Sequence, residues 1–190
     1  MLSAETSLIL NIYLAFMVIT DLTIIAQESV TKEEENFVLG EILKNKNSDA
    51  IDELVFQLNE SISSQIDCTQ CGNCCRSLMI NIDSDDTQRL AAHLHTSTKK
   101  FEKKYIEHSG EGTLAVMNAI PCNFLHENKC SVYAARPKEC REFPALHHKG
   151  FTGRLFAIFM HYGRCPIVYN VIESLKTKIA TSDETSFADY

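Results

Sequence analysis

Apolar residues run almost without a break from Leu8 to Ile25, a stretch about as long as the shortest membrane-spanning helix. Asn11 lies inside the run and Asp21 near its end, and a carboxylate held centrally in a bilayer costs up to about 3 kcal/mol. No basic cluster beside the run sets a membrane orientation. The pattern predicts a helix buried against protein or at a contact with a second copy of the chain, with a membrane anchor as the alternative. Beyond it, Thr31-Lys32-Glu33-Glu34 has the form of a capping box that opens a second helix reaching about Lys46. A polar break from Asn45 to Asp49 follows. Ser48 or Asp49 then caps a third helix, whose apolar positions Ile51, Leu54, Val55, Leu58, Ile62 and Ile66 recur at helical spacing.

After residue 77 the pattern shortens. Leu78 to Ile82 alternates like a strand, Asp83-Ser84 caps a helix through about His95, and Thr96 or Ser97 caps another from Thr98 to about Ile106. Ser109 to Gly112 reads as a loop and a hinge between two halves of the chain. Ala119 to Cys130 reads as strand, polar turn at His126 to Lys129, and return. Pro137 suits the first position of a short helix. Phe151 to Met160 is continuously apolar and reads as a strand, and Cys165-Pro166 opens a last helix to about Lys178. The predicted architecture is mainly α with a few short strands. An N-terminal helical layer occupies residues 1–65, a small metal-centred domain residues 66–180, and a frayed tail residues 181–190.

With 190 residues and 45% hydrophobic content the chain can bury a core without covalent staples. A formal net charge of -7 excludes a general nucleic-acid binder, which needs clustered Lys and Arg for phosphate contacts.

Cysteine usage changes the picture most. Four of eight cysteines fall in Cys68-Thr-Gln-Cys71-Gly-Asn-Cys74-Cys75, and Cys122, Cys130, Cys140 and Cys165 follow at wider spacing. Two thiolates on one tetrahedral zinc lie about 3.8 Å apart, given a Zn–S bond of about 2.3 Å, and a C-x2-C turn presents its sulfurs at about that distance. Gly72 supplies the backbone freedom such a turn uses. Neighbouring side chains point apart in an extended segment and diverge in a helix, so only one of Cys74 and Cys75 is expected to ligate a given metal. An even cysteine count also permits disulfides. However, none of the first 31 residues is Lys or Arg, so a charged export signal is missing, and the reading is reduced thiols in the cytoplasm.

Arg76, Lys129, Lys138, Arg141 and Arg164 each lie beside a cysteine in an otherwise acidic chain, where they would offset thiolate charge. Cys165 stands at the start of a predicted helix, whose positive end favours a thiolate. His126, His147 and His148 are weighed as extra ligands and read as ordinary polar residues near turns, as are His93 and His95. The candidate metal ligands are Cys68, Cys71, Cys74, Cys75, Cys122, Cys130, Cys140 and Cys165.

These motifs resemble those of the YkgJ family of bacterial and archaeal cysteine-cluster proteins, described as zinc- or iron-chelating. The resemblance lies in C-x2-C-x2-C-C at Cys68 to Cys75, C-x-F-L at Cys122 to Leu125, Cys130 followed by Tyr133, then Arg136-Pro137, Cys140-Arg141 and Phe143-Pro144. It spans about residues 66 to 170 and leaves the N-terminal helices outside. Val132 stands for the usual Ile, and Ala134 where an acidic residue is common. The resemblance implies a metal-binding module and leaves zinc against iron open. Some relatives are described as flagellin lysine methylases, but this chain has no glycine-rich nucleotide loop.

Two function classes follow. One is a metalloprotein whose centre folds the chain, regulates it or carries an electron. The other is a cluster-dependent enzyme, an oxidoreductase or a protein-lysine methylase-like transferase, which would need an open coordination position. The C-x2-C-x2-C run and the Cys165-Pro166 pair echo ferredoxin ligation and tilt the cofactor toward an iron–sulfur cluster over Zn2+. The expected partner is that metal ion or cluster, and a protein partner or homodimer stays open.

Overall fold

Asp21 decides where the first helix starts. In the computed structural model, which describes residues 18–110 and 114–185, the Asp21 carboxylate accepts from the amides of Thr23 and Ile24 and caps α1, Leu22–Thr31. Just before it, Ile19 is held by Asn170, which accepts from the Ile19 amide at 2.9 Å and donates to its carbonyl at 2.7 Å. The apolar run is therefore not one helix to Ile25, because Asp21 and Ile19 spend their polar groups on a cap and a tether. Its residues 8–17 lie outside the described part.

The chain divides into two compact units, one made of residues up to 66 together with those from 146, the other of residues 67–145. In the first, the helical unit, α1 is followed by α2, Glu33–Lys44, and α3, Ser48–Ser63. The capping box at Thr31 is not formed. Thr31 is the last residue of α1 and its hydroxyl donates back to the Glu28 carbonyl, while Lys32 is drawn to Glu28 at 2.5 Å and Glu173 at 2.6 Å. Asn47 caps α3 by accepting from the Ala50 amide at 3.0 Å.

Buried Asp52 on α3 accepts from the amides of Gly150 at 2.7 Å and Phe151 at 2.9 Å, fixing the start of a 3-10 turn at Thr152–Arg154. From that turn runs α9, Leu155–Tyr162, where sequence predicted a strand; α4 to α8 belong to the other unit. Leu155, Ile158 and Tyr162 are buried while Phe156 and Met160 are exposed, which is helical periodicity that an all-apolar segment conceals. The long α10, Pro166–Thr185, continues past the predicted end near Lys178 and packs along α3 and against α1 and α9. Val168, Val171, Ile172 and Leu175 give it a fully buried face. Residues 146–185 thus group with the N-terminal helices and not with the cysteine cluster.

The cysteine unit opens with two single turns, α4, Cys68–Cys71, and α5, Asn73–Ser77. Next come α6, Ser84–His93, capped by Asp83, and α7, Thr98–Tyr105, capped by Ser97. Strand β1, Ile106–His108, pairs antiparallel with β2, Ala115–Met117, with Ile106 opposite Met117. The predicted strand at Leu78 to Ile82 reduces to a single bridge from Asn81 to Val116. At the end of the β1–β2 pair the Ser109 amide donates to the Leu114 carbonyl at 2.8 Å and the Ser109 hydroxyl accepts from the Leu114 amide at 3.2 Å. Glu111 and Gly112 of the loop predicted from Ser109 to Gly112 lie outside the described residues. A second hairpin joins β3, Leu125–His126, to β4, Lys129–Cys130, and a short helix, α8, Lys138–Glu142, carries Cys140.

Phe101, Leu90, Ile106, Met117, Phe124 and Val132 form the core of this unit, with Tyr105 packed between Phe101 and Phe124 at ring-centroid distances of 5.1 and 4.9 Å. Among the described residues no helix is long and apolar enough to cross a membrane. The molecule is mainly α-helical with two small two-stranded sheets among the described residues, as its sequence predicts.

Candidate metal centre

Asp67 starts the site. Its carboxylate accepts from the Thr69 amide at 2.9 Å and the Thr69 hydroxyl at 2.6 Å, which turns the chain into α4. Gly72 ends that turn at φ +60°, and a Cβ there would stand 2.9 Å from the Asn128 carbonyl oxygen. Only glycine meets both demands. The chain then re-enters helix, placing Cys74 and Cys75 on α5.

Arg76 clamps this turn to the β3–β4 hairpin. It donates to the Cys71 carbonyl at 2.9 Å, to the Glu127 carbonyl at 3.1 Å, and to the Asn128 side chain. The Cys122 amide donates to the Cys75 carbonyl at 2.8 Å, tying the cluster to the next cysteine, and the hairpin brings the chain back at Cys130.

Cys140 is placed by a buried carboxylate. Asp86 accepts from the Lys138 amide at 3.0 and 3.2 Å and so caps α8, while Arg89 pairs with Asp86 and donates to the carbonyls of Ala135 and Arg136. Glu139 holds the same helix from the other side, accepting from the Asn81 amide at 2.8 Å and its side chain at 2.5 Å.

These ties bring Cys68, Cys74, Cys75, Cys122, Cys130 and Cys140 onto the wall of one cavity of about 140 Å³. The rest of the wall is largely apolar, with Leu78, Ile80, Met117, Phe124 and Val132, together with Arg136, Arg141, Tyr133 and Phe143. Cys71 is off that wall, its carbonyl held by Arg76. Cys165 belongs to the helical unit, buried just ahead of α10. His126 is exposed on β3, and His147 and His148 are exposed in the helical unit. No disulfide joins the eight cysteines.

Cys74 and Cys75 both reach the cavity. Their sulfurs stand 4.0 Å apart on the same cavity, because one turn of α5 swings consecutive side chains by about 100°, not 180°.

Burial raises the thiol pKa of Cys68, Cys122 and Cys130 above the ordinary value. Cys140 is pushed up to about 12, first by burial and then by Cys75, Cys122 and Cys130 around it. Cys75 is raised too, by its hydrogen bond with Cys74 and by burial. Without a cation these groups stay neutral thiols at pH 7. Arg136 opposes the rise at both Cys68 and Cys130, and its guanidinium lies 3.8 Å over the Tyr133 ring.

Among the described residues, no three His, Cys, Asp or Glu side chains are already drawn together around a single point that could hold an ion. What is assembled is a sulfur-lined cavity. Its donor set is all thiol, which selects soft or borderline metals such as zinc and iron, so the residues fit such a group once the thiols turn inward and lose their protons. Sequence reasoning passed over Asp86, Arg89, Asn128 and Glu139. The Asp-x-x-Arg spacing of Asp86 and Arg89 on one helix face was the visible signal for the first two.

The site is thus a sulfur-lined cavity built from a C-x2-C-x2-C-C turn, a hairpin and a short helix. Residues 67–157 match the family described as CxxCxxCC, "Putative zinc- or iron-chelating domain", the same family that the cysteine motifs resemble. A comparison with solved structures gives no match.

Proposed function

We propose that the cysteine unit holds an iron–sulfur cluster in its cavity and carries single electrons. The observation that supports this most is six cysteines on one cavity of about 140 Å³, more space than one bare ion needs. An apolar wall limits water at the sulfurs, and Arg136 offers positive charge; both tune the potential of such a centre. When bound, the cluster supplies one-electron redox chemistry. The chain's own part is to deliver thiolates, exclude solvent and fix the sulfurs through Arg76, Asp86 and the Cys122–Cys75 backbone tie. Cysteines without disulfides suit a reducing, cytoplasmic setting.

Anaerobic purification of the full chain, followed by metal and acid-labile sulfide analysis and a visible spectrum, tests the reading. A brown protein with iron and sulfide in similar amounts is expected. A colourless protein with stoichiometric zinc would overturn it and leave a structural or regulatory centre.

A further inference from the structure

Helix α9 does not have the composition of a surface helix. Leu155–Tyr162 carries no Asp, Glu, Lys or Arg, so it is apolar almost all round, the pattern of a helix covered on every side. The described residues cover one side only: Leu155, Ile158 and Tyr162 are buried, whereas Phe156 is 82% and Met160 56% exposed.

Two close approaches fix what lies beside that open side. A Cβ at Gly40 would stand 3.8 Å from the Phe159 ring, and one at Gly163 would meet the Ser29 hydroxyl at 2.5 Å, so α2 and the end of α1 run along α9. Helical spacing sets Phe156 and Met160 beside Phe159 on the outer lip of the α2–α9 groove. On α2, Phe37, 63% exposed, precedes Gly40 by three residues. Val30, 74% exposed, precedes Phe37 by seven and shares its side, because bonds from the Lys32 amide to the Glu28 carbonyl and from the Asn36 amide to the Lys32 carbonyl carry the helical pattern across the break.

We propose that this strip of Val30, Phe37, Phe156 and Met160 is the contact surface for a second copy of the chain, related by a two-fold axis over the α2–α9 groove. The contact lies wholly in the helical unit and needs no metal. Three observations choose a second copy. The face carries both halves of a fit, projecting rings at Phe37 and Phe156 and a partly exposed notch at Gly40, and a two-fold contact needs knob and hole on one patch. Taking about 200 Å² for a whole large side chain, the four residues present on the order of 500 Å² of apolar surface, most of the roughly 800 Å² that each partner gives a standard interface. Glu33, Glu34 and Glu41 stand exposed on α2 beside the strip, where they repel the anionic headgroups of a bilayer but suit the polar rim of a protein contact.

The test is sedimentation velocity of the full chain at rising concentration. Wild type should move as a dimer in the micromolar range. The double variant Phe156→Glu, Met160→Glu should move as a monomer, its dissociation constant raised about a hundredfold or more, with helical circular dichroism unchanged because both side chains face outward. A wild type that stays monomeric, or a folded double variant that stays dimeric, would overturn the proposal. A photoreactive phenylalanine analogue at position 156 identifies what the face touches. The expected product has twice the chain mass and joins position 156 to residues 30–41 or 155–160 of the other copy. A cross-link within one chain to residues 8–17, a cross-link to added lipid, or none between chains gives the face another occupant and overturns it. Should the double variant lose its helical signal, the cross-link decides.

Discussion

Asp86 shows how one buried side chain sets the chemistry of a neighbour it never touches. Its side chain is 3% exposed and that of Arg89 33% exposed, so the pair is half-shielded. Breaking a fully buried pair costs about 3–5 kcal/mol, and the exposure of Arg89 puts Asp86→Ala at the low end, about 3 kcal/mol. The same substitution removes the cap of α8. Asp86→Ala should therefore lower the melting temperature and, at temperatures where the protein stays folded, reduce bound metal per chain through misplacement of Cys140. Full metal content in a folded Asp86→Ala protein would show that Cys140 needs no such support. At this scale much was legible in the sequence: Asp83 and Ser97 cap helices where their types and positions said they would, because a cap is a contact within four residues. The relation of Cys74 to Cys75 was not, because it depends on whether the local backbone is extended or helical.

Among elements, α1, α9 and α10 are joined by a half-buried polar cluster. Tyr162 donates to Glu173 at 2.7 Å, Lys32 and Lys176 approach the same carboxylate at 2.6 and 2.8 Å, and Tyr169 donates to Glu28. Burial alone would raise the pKa of Glu173, but hydrogen bonds from Lys176, Lys32 and Tyr162 outweigh it and hold the carboxyl below its ordinary 4.5. A depressed carboxylate stabilises fully above the unfolded value, and that contribution is lost as pH falls through the folded one. Glu173→Gln should cost about 1–2 kcal/mol at pH 7 and flatten the loss of stability below about pH 4.5. Urea melts from pH 7 to pH 3 check this; parallel acid limbs in wild type and variant would refute it. Sequence could not see this cluster, whose members are brought together from residues 28 and 173. It misread Phe151 to Met160 for a related reason. The Asp52 contacts that start its helix come from a distant segment. Thr31 had the right spacing for a capping box, but Lys32 had better partners across the unit.

For the molecule as a whole, the cysteine lining of the cavity is what joins the motif, the cavity and the family match. The cysteine motifs made six of the wall residues readable in advance, since C-x2-C spacing is local and Cys122, Cys130 and Cys140 sit in short recognisable turns. The placement of Cys165 was hidden, because its partners are fixed by α10 packing along α3 and not by any spacing to the other cysteines. X-ray absorption at the edge of the metal carried by anaerobically purified protein is the most direct measurement. The account predicts a first shell of sulfur alone, at about 2.3 Å. A shell of nitrogen and oxygen, or a purified protein with no bound metal, would contradict it.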